Sequence, residues 1–519
     1  MTYERLVVIV LISFVWGRTL ALSMLVSLAR RPQTTASRSA LWTVALQRSH
    51  PRSPQGVDLT PPRHHRPVLR RGGGGRAWAM STTSRGVPSF SDGRQPRESS
   101  NEGVAEPAPV GTGPPLARVE PAEEPWLTEA AARLRDEELV AFPTETVYGL
   151  GANALSEKAV LKIFLAKQRP LTDPLIVHVP DTASALAVVD FEVPGGGGEK
   201  ARRLLNLLGE KLWPGPLTLI LKAAERVPAC VTAGTGFVGV RCPAHPVARQ
   251  LLSLAGVPVA APSANRFGHV SPTQAVHVME DLGSSDILIL DGDASGACGI
   301  GIESTVAKID IENDRILILR MGGVTQERIR QALKEGGDDF SGTTVHAGSV
   351  AGGKTGSKAE MEQHGGESAS SRNGPSEAEG QAPGEACVVF VRQLLRHYSP
   401  DLEVFRVSGA TPGTTSGRIV GVGELLDLVD MARTSVLVDF SGQLKGLEAS
   451  ALAYSDLSVE GNTDEAAEGL FRALRWAETQ PSAQRLLIAD LPSTSSGDLA
   501  AAVNDRIYRS ASGNTISAE

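Results

Sequence analysis

Short apolar runs recur along the middle of the chain, with helically spaced runs between them. Residues 139–141, 175–179, 217–221, 238–241, 257–260, 287–290, 305–309 and 316–319 are rich in Val, Ile and Leu and bounded by Gly, Pro, Asp or Asn, which predicts strands. Residues 159–166, 201–211, 245–254, 273–281 and 326–333 place apolar side chains three and four apart, which predicts helices. Their alternation predicts a mixed α/β domain over 119–335. In the segment 142–155, F-P-T-E-T-V-Y-G-L-G-A-N-A-L, Val147 looks strand-like and the Gly149/Gly151 pair predicts a sharp turn, with backbone open to close approach by a ligand.

The pattern fades over 336–400, where Gly, Ser, Glu, Ala and Lys predominate; a segment so poor in apolar residues is expected to be a disordered insert and linker. It returns over 401–519. Strands are predicted at 418–422, 436–440 and 486–489, and helices at 464–479, capped by Asn462 or Thr463, and at 498–510. That alternation predicts a smaller Rossmann-like parallel α/β domain. Gly421 and Gly423 read as a plain turn, because no G-x-G-x-x-G opens a helix there.

Residues 1–118 do not read as a folded domain. Apolar stretches at 6–16 and 20–28 flank Arg18, and no Asp or Glu occurs from Arg5 to Val57 while Arg and Ser recur. A signal-like stretch followed by an acid-poor one resembles a bipartite plastid leader. The expectation is an organelle protein, plastid or mitochondrial, without stable membrane association in its mature form. A signal anchor or a cytoplasmic protein are the alternatives.

Length allows two or three domains with real cores: the chain has 519 residues and a formal net charge of −7. That balance excludes nucleic-acid binding through bulk positive charge and leaves room for a local basic patch. Four cysteines, Cys230, Cys242, Cys298 and Cys387, lie far apart without a C-x-x-C pair, which excludes a zinc ribbon and a disulfide framework.

Candidate chemistry clusters in the first domain. Lys167 and Arg169 follow a helical run and could both reach one polyphosphate, Arg through a bidentate fork and Lys as a point charge; alone, K-Q-R reads more readily as a solvated helix end, and the neighbouring motifs reverse that. Arg241 ends a strand and could clamp a carboxylate. Ser263 and Asn265 stand in the turn P-S-A-N, and Ser271 precedes Pro272, where a helix cap is the competing reading. A Gly-rich loop over 291–306 brings Glu303, Ser304 and Thr305 to a strand mouth, and Arg320 precedes Met321 and a Gly-Gly pair.

Taken in order, P-T-E-T-V-Y-G-L-G, K-x-R-P, D-P-L-x-x-H, W-P-G-P-L-T, G-V-R-x-P, P-S-A-N, G-x-x-S-T-V and L-R-x-G-G resemble the YrdC-type threonylcarbamoyl-AMP synthase family over 141–327. H-Y-S-P at 397–400 and V-N-D-R-I at 503–507 resemble the extra domain of its long, two-domain form. The resemblance implies a twisted open mixed sheet with a positively lined concave face. It implies a nucleotidyltransferase that joins L-threonine, bicarbonate or carbon dioxide, and ATP (with Mg²⁺) into threonylcarbamoyl-AMP and pyrophosphate. The product would pass to a downstream threonylcarbamoyl transferase complex that modifies tRNA. Short members bind double-stranded RNA, so a catalytically inactive double-stranded RNA- or tRNA-binding protein is the alternative.

By the same resemblance, Lys167, Arg169, Ser263 and Asn265 form the catalytic signature. Thr146, His178, Arg241, Ala261 and Ser304 fall at threonine-contact positions. Arg169, Asp173, Phe237, Ser263, Ser271 and Arg320 fall at ATP-contact positions, with Tyr398 in a lid over the nucleotide. The apolar stretch 385–396 before His397 departs from the long form, whose linker passes quickly from Pro-Gly to His-Tyr. A hydrogenase-maturation carbamoyl transferase shares the first domain but adds a zinc-finger module, which four scattered cysteines do not supply.

Overall fold

The computed structural model describes residues 116–192, 197–293, 296, 298–347, 397–492 and 499–519. The readings of the leader up to residue 115 and of the insert over 348–396 therefore lie outside the described residues, whereas the first part of the expected insert is ordered: Asp338–Phe340 form a 3-10 turn and Thr344–Ala347 a strand that joins the first sheet. Eleven strands form the first sheet: β1 Arg118–Pro121, β2 Leu139–Phe142, β3 Gly149–Asn153, β4 Ile176–His178, β5 Leu217–Lys222, β6 Phe237–Arg241, β7 Val259–Ala260, β8 Ile287–Asp291, β9 Thr305–Asp310, β10 Arg315–Arg320 and β11 Thr344–Ala347. Their spatial order is β1-β8-β2-β3-β7-β4-β6-β5-β9-β10-β11. Parallel pairs such as β4 with β6 alternate with antiparallel ones such as β2 with β3, so the sheet is mixed.

Both faces of this sheet are covered, and the two-residue side-chain period shows why. Val140, Phe142, Leu288 and Leu290 point to one face, where α1 (Trp126–Arg135) and a helix at Pro246–Ala255 supply Leu127, Leu134, Val247 and Leu251. Leu139, Ala141, Ile287 and Ile289 point to the other. There α2 (Glu157–Lys167) buries Ala159, Val160, Ile163, Phe164 and Lys167, a three-and-four-residue stripe that carries Lys167 inward. Ser156 caps α2 by accepting from the Ala159 amide, and Gln168 ends it in the left-handed region at φ 53°.

Seven strands form the second sheet: β12 Glu403–Ser408, β13 Ser416–Ile419, β14 Leu425–Asp427, β15 Ser435–Asp439, β16 Ala453–Asp456, β17 Arg485–Ala489 and β18 Thr515–Ala518, in the order β14-β13-β18-β12-β17-β15-β16. The run from β18 to β16 is parallel, and β13 with β14 adds an antiparallel hairpin. Gly421 and Gly423, at φ 97° and 75°, make the hairpin's turn. Helices α3 (Thr463–Glu478) and α4 (Leu499–Ser510) pack together beside this sheet, α3 being capped by Asn462, whose side chain accepts from Asp464 and Glu465 amides. Both sheets belong to one compact unit, Gly103–Glu519.

The glycine pair corrects the sequence reading. Gly149 and Gly151 lie inside β3 and turn nothing. A Cβ on Gly151 would sit 2.8 Å from Phe142 Cε1 and 2.9 Å from Val259 Cγ1, so glycine is needed for strand packing. The predicted strand character of Val147 belongs two residues later, where β3 begins.

Candidate active site

Parallel strands β4 and β6 put His178 and Arg241 side by side at their carboxyl ends. Crevices beyond such ends are where α/β sheets bind ligands. One cavity opens here, lined by Thr146, Arg169, Asp173, His178, Arg241, Ala261, Ser263, Ser304, Arg320 and Tyr398, with Thr144, Glu303 and His397 among its other walls. Each wall comes from a different motif in the sequence.

Arg241 is almost wholly buried. Its Nη1 donates to Thr146 Oγ1 at 2.9 Å, its Nε to the Gly215 carbonyl at 3.4 Å, and its Nη2 lies 2.7 Å from Glu145 Oε1 in an ion pair. That pair lacks hydrogen-bond angles, so Nη2 and Oε1 keep bonding capacity. Beside it, burial first and then the Arg241 charge pull His178 down to about 3. At neutral pH His178 is an uncharged ring packed edge-on to Phe142, and its Nδ1 has no hydrogen-bond partner among the described residues.

Arg320 and Ser304 build the adjoining wall. A register shift between Ile318 and Arg320 breaks the β9–β10 ladder. There the Arg320 Nε and Nη2 donate to the Ser304 carbonyl at 3.1 and 3.0 Å, and Nη2 reaches Ser304 Oγ at 3.3 Å. Ser304 Oγ also bonds Thr218 Oγ1 at 2.8 Å.

Across the cavity, Arg169 follows the left-handed Gln168. Its Nη2 donates to the Pro174 carbonyl at 3.2 Å, its charge lies 3.7 Å from Asp173, and its guanidinium sits over the Phe267 ring at 5.7 Å. Burial holds the Asp173 carboxyl above the usual carboxylate range against the pull of Arg169.

Four of the sequence candidates lie off the cavity wall. Lys167 is buried behind it, its ammonium donating to the carbonyls of Ser263 and Asn265, and burial lowers its pKa well below the ordinary lysine value. It therefore braces the P-S-A-N turn, where the sequence suggested a point charge on a phosphate. Asn265 holds the same turn, donating to the carbonyls of Arg266 and His269 at 2.7 and 2.8 Å. Ser271 donates to Glu303 Oε1 at 2.8 Å and stands behind that wall residue. Phe237 begins β6, at the opposite end of the strand from Arg241 and about 13 Å away by strand rise; its ring carries the Lys308 ammonium at 4.7 Å.

Tyr398 enters from the linker. It is fully buried at φ 61°, its ring 3.9 Å from that of His397 and 5.3 Å from that of Phe471 on α3. Burial pushes its hydroxyl up to about 12, so it remains protonated. Burial, then Arg169 and Arg320, keep His397 neutral.

Sequence reasoning did not single out Glu145, Thr144 or Arg506. Glu145 had a signal, lying inside the T-E-T triplet beside Thr146. Arg506 had only its place in V-N-D-R-I; its partner Glu303 is 203 residues away.

The family model described as "telomere recombination", covering Sua5, YciO and YrdC proteins, matches residues 132–322, and "threonylcarbamoyl-AMP synthase, C-terminal domain" matches 324–512. A threonylcarbamoyl-AMP synthase of Actinobacillus succinogenes is 33% identical over 156 residues, which cover 30% of this chain and 81% of that protein. The chain belongs to the threonylcarbamoyl-AMP synthase family. Another family member, from Pyrococcus abyssi, is 46% identical over 213 residues, or 41% of this chain and 58% of its own length. The match thus spans little more than half of that relative. The crystal structure of P. abyssi Sua5 complexed with L-threonine resembles this chain with a TM-score of 0.55 and 29% identity, over 78% of this chain and 99% of that one. The P. abyssi structure shares the two-domain arrangement, and the cavity is walled mainly by residues of the first family match, with His397 and Tyr398 coming from within the second.

Proposed function

We propose that this protein forms threonylcarbamoyl-AMP from L-threonine, bicarbonate or carbon dioxide, and ATP, releasing pyrophosphate. One observation carries the reading: the corner where Arg241 donates to the Thr146 hydroxyl shares its cavity with Ser304 and with the cations Arg169 and Arg320, the last of which bonds Ser304. The related P. abyssi protein was crystallised with L-threonine, which supports the assignment of that corner.

On this reading Arg241 holds the amino-acid carboxylate, and Thr146 and Ser304 meet its hydroxyl. The threonine amine adds to the carbon of carbon dioxide, losing a proton to give a carbamate. A carbamate oxygen attacks the α-phosphorus of ATP, the bond to the β-phosphate oxygen breaks, and pyrophosphate leaves. Chemistry of this kind depends mainly on alignment and on cations placed where charge builds up. Arg169 and Arg320 face the cavity as such cations, while neutral His178 and protonated Tyr398 add no charge.

Mg²⁺ would enter with ATP and offset phosphate charge. The carboxylates of the wall fit that role better than that of a resident metal cage. Glu303 has both oxygens engaged, by Ser271 and Arg506, which leaves Asp173, paired with Arg169 through Oδ2 at 3.7 Å, as the wall carboxylate whose other oxygen can meet the ion or its waters. We further propose that the product serves threonylcarbamoyl transfer to tRNA, and that residues 1–118 direct the protein to an organelle, which a fluorescent fusion of that segment tests. Among the described residues no helix is long and apolar enough to cross a membrane.

The activity is tested with purified full-length protein. Pyrophosphate release that requires threonine and bicarbonate together is expected; release independent of threonine overturns the reading.

A further inference from the structure

We infer that Arg506, on helix α4 of the second domain, is a positioning residue for the cavity of the first. Arg506 is fully buried, and its Nε donates to Glu303 Oε2 at 3.1 Å. Its Nη1 donates to the Met321 carbonyl at 2.6 Å. Glu303 and Met321 are the chain neighbours of Ser304 and Arg320, the two wall residues that bond to each other. One guanidinium from the second domain thus holds both segments that meet at this wall. Its flat face also lies 5.8 Å from the centre of the Tyr398 ring, a third wall residue.

Stability alone does not account for this arrangement. A buried ion pair often stabilises a fold no better than apolar side chains of the same volume, because desolvation offsets the attraction. What it supplies is direction: the planar fork fixes the angle between Glu303 and the 320–322 segment, a constraint that the rotatable donors of an ammonium do not impose. Glu303 passes the constraint on, since its second oxygen accepts from Ser271.

The same domain seam contains a built-in comparison. Arg475, also buried, donates to the Val270 carbonyl and to Asp281 Oδ2 at 2.5 and 2.8 Å, and neither of those residues lines the cavity. Arg475 joins the domains without touching the wall. If Arg506 were only a joint between domains, the two arginines would behave alike.

The test uses the full-length protein and the variants Arg506→Lys, Glu303→Gln and Arg475→Lys. Hydrogen exchange read by mass spectrometry needs no turnover. Arg506→Lys is expected to speed exchange in peptides covering 303–305 and 320–322, and Arg475→Lys to leave those peptides unchanged. The kinetic arm rests on the proposed activity. There Arg506→Lys and Glu303→Gln should each lower kcat/KM for threonine by about tenfold or more, through kcat as well as KM, and the double variant by much less than the product. Arg475→Lys should stay within about twofold at a comparable loss of melting temperature. Should Arg506→Lys not fold, Glu303→Gln carries both arms. An inactive wild type removes the activity reading and leaves exchange to decide on Arg506. Equal kinetics for the two arginine variants, or unchanged exchange at 303–305 and 320–322, overturns the inference.

Discussion

Thr146 Oγ1 accepts a hydrogen bond from Arg241 Nη1 at 2.9 Å. The direction of its second bond follows from proton counting. Thr144 Oγ1 donates to the Val147 carbonyl at 2.7 Å, and a hydroxyl has a single proton, so in the 2.8 Å contact between the two threonines Thr146 is the donor. One lone pair of Thr146 then remains to accept from a bound molecule. The same chain of bonds fixes the Arg241 fork, so the hydroxyl selector and the carboxylate clamp are one unit.

Thr146→Val should therefore damage recognition in two ways at nearly constant volume. It removes the acceptor for a charged donor and the acceptor for the substrate, a loss of about 1.5–3 kcal/mol. The KM for threonine is expected to rise about 10- to 100-fold, and the preference for threonine over valine to shrink. Pyrophosphate release measured with each amino acid checks both; an unchanged preference would remove Thr146 from the selector.

Lys167→Met separates bracing from direct phosphate contact. The buried ammonium bonds to the carbonyls of Ser263 and Asn265, and losing it leaves those carbonyls unpaired, at about 1–3 kcal/mol. Bracing predicts a lower melting temperature and an ATP KM raised about tenfold as the turn loosens. A lysine acting on the transition state would instead cost about 10²- to 10³-fold in kcat with little change in stability. Steady-state kinetics with ATP varied, alongside a thermal melt, distinguishes the two.

Much of this architecture was legible in the sequence because short, unbroken apolar runs such as Ile-Leu-Ile-Leu at 287–290 suit a strand covered on both faces. The helix at 464–479 was equally legible, its apolar stripe and its asparagine cap agreeing. The misreadings have local causes. Gly149 and Gly151 carry no side-chain signal, so a strand made of G-L-G-A-N looked like a turn until its neighbours Phe142 and Val259 were in place. Lys167 and Arg169 are nearly adjacent, yet the left-handed Gln168 between them sends one inward and the other to the cavity. Long-range partners leave no trace in local pattern, and so Arg506 with Glu303 appears only in three dimensions.

At the domain seam, His269 bonds Asp281 through Nδ1 at 2.9 Å and Glu478 through Nε2 at 3.0 Å. Burial, the largest single influence, opposes the imidazolium charge, but the two carboxylates outweigh it and raise His269 from 6.5 to about 9. A pKa higher in the folded than in the unfolded state stabilises fully below 6.5 and loses that contribution as pH climbs through 9. Unfolding free energy should fall across this window by at most about 3 kcal/mol, and His269→Gln should flatten the decline. Urea titrations at the two ends of the window measure it. A decline of equal size in the variant would assign the effect to other groups.

Gly301 reports how closely the two domains approach. Its φ is 71°, and a Cβ there would lie 2.3 Å from the Glu468 Cα and 2.4 Å from the Ala467 carbonyl oxygen, both backbone atoms of α3. Gly236 has nearly the same conformation, φ 74°, with nothing within 4 Å of the added atom. Gly236→Ala should cost only the left-handed conformation, about 1–2 kcal/mol. Gly301→Ala meets that cost and must also push α3 back, adding about 1–3 kcal/mol. Because Glu303 is two residues further along, this variant should lose catalytic efficiency as well as stability, whereas Gly236→Ala should lose stability alone. Urea midpoints and threonine-dependent pyrophosphate release for the pair measure the difference. Equal midpoints would mean that the 301 loop yields without disturbing α3, and that the close approach of the two backbones does not hold the wall in place.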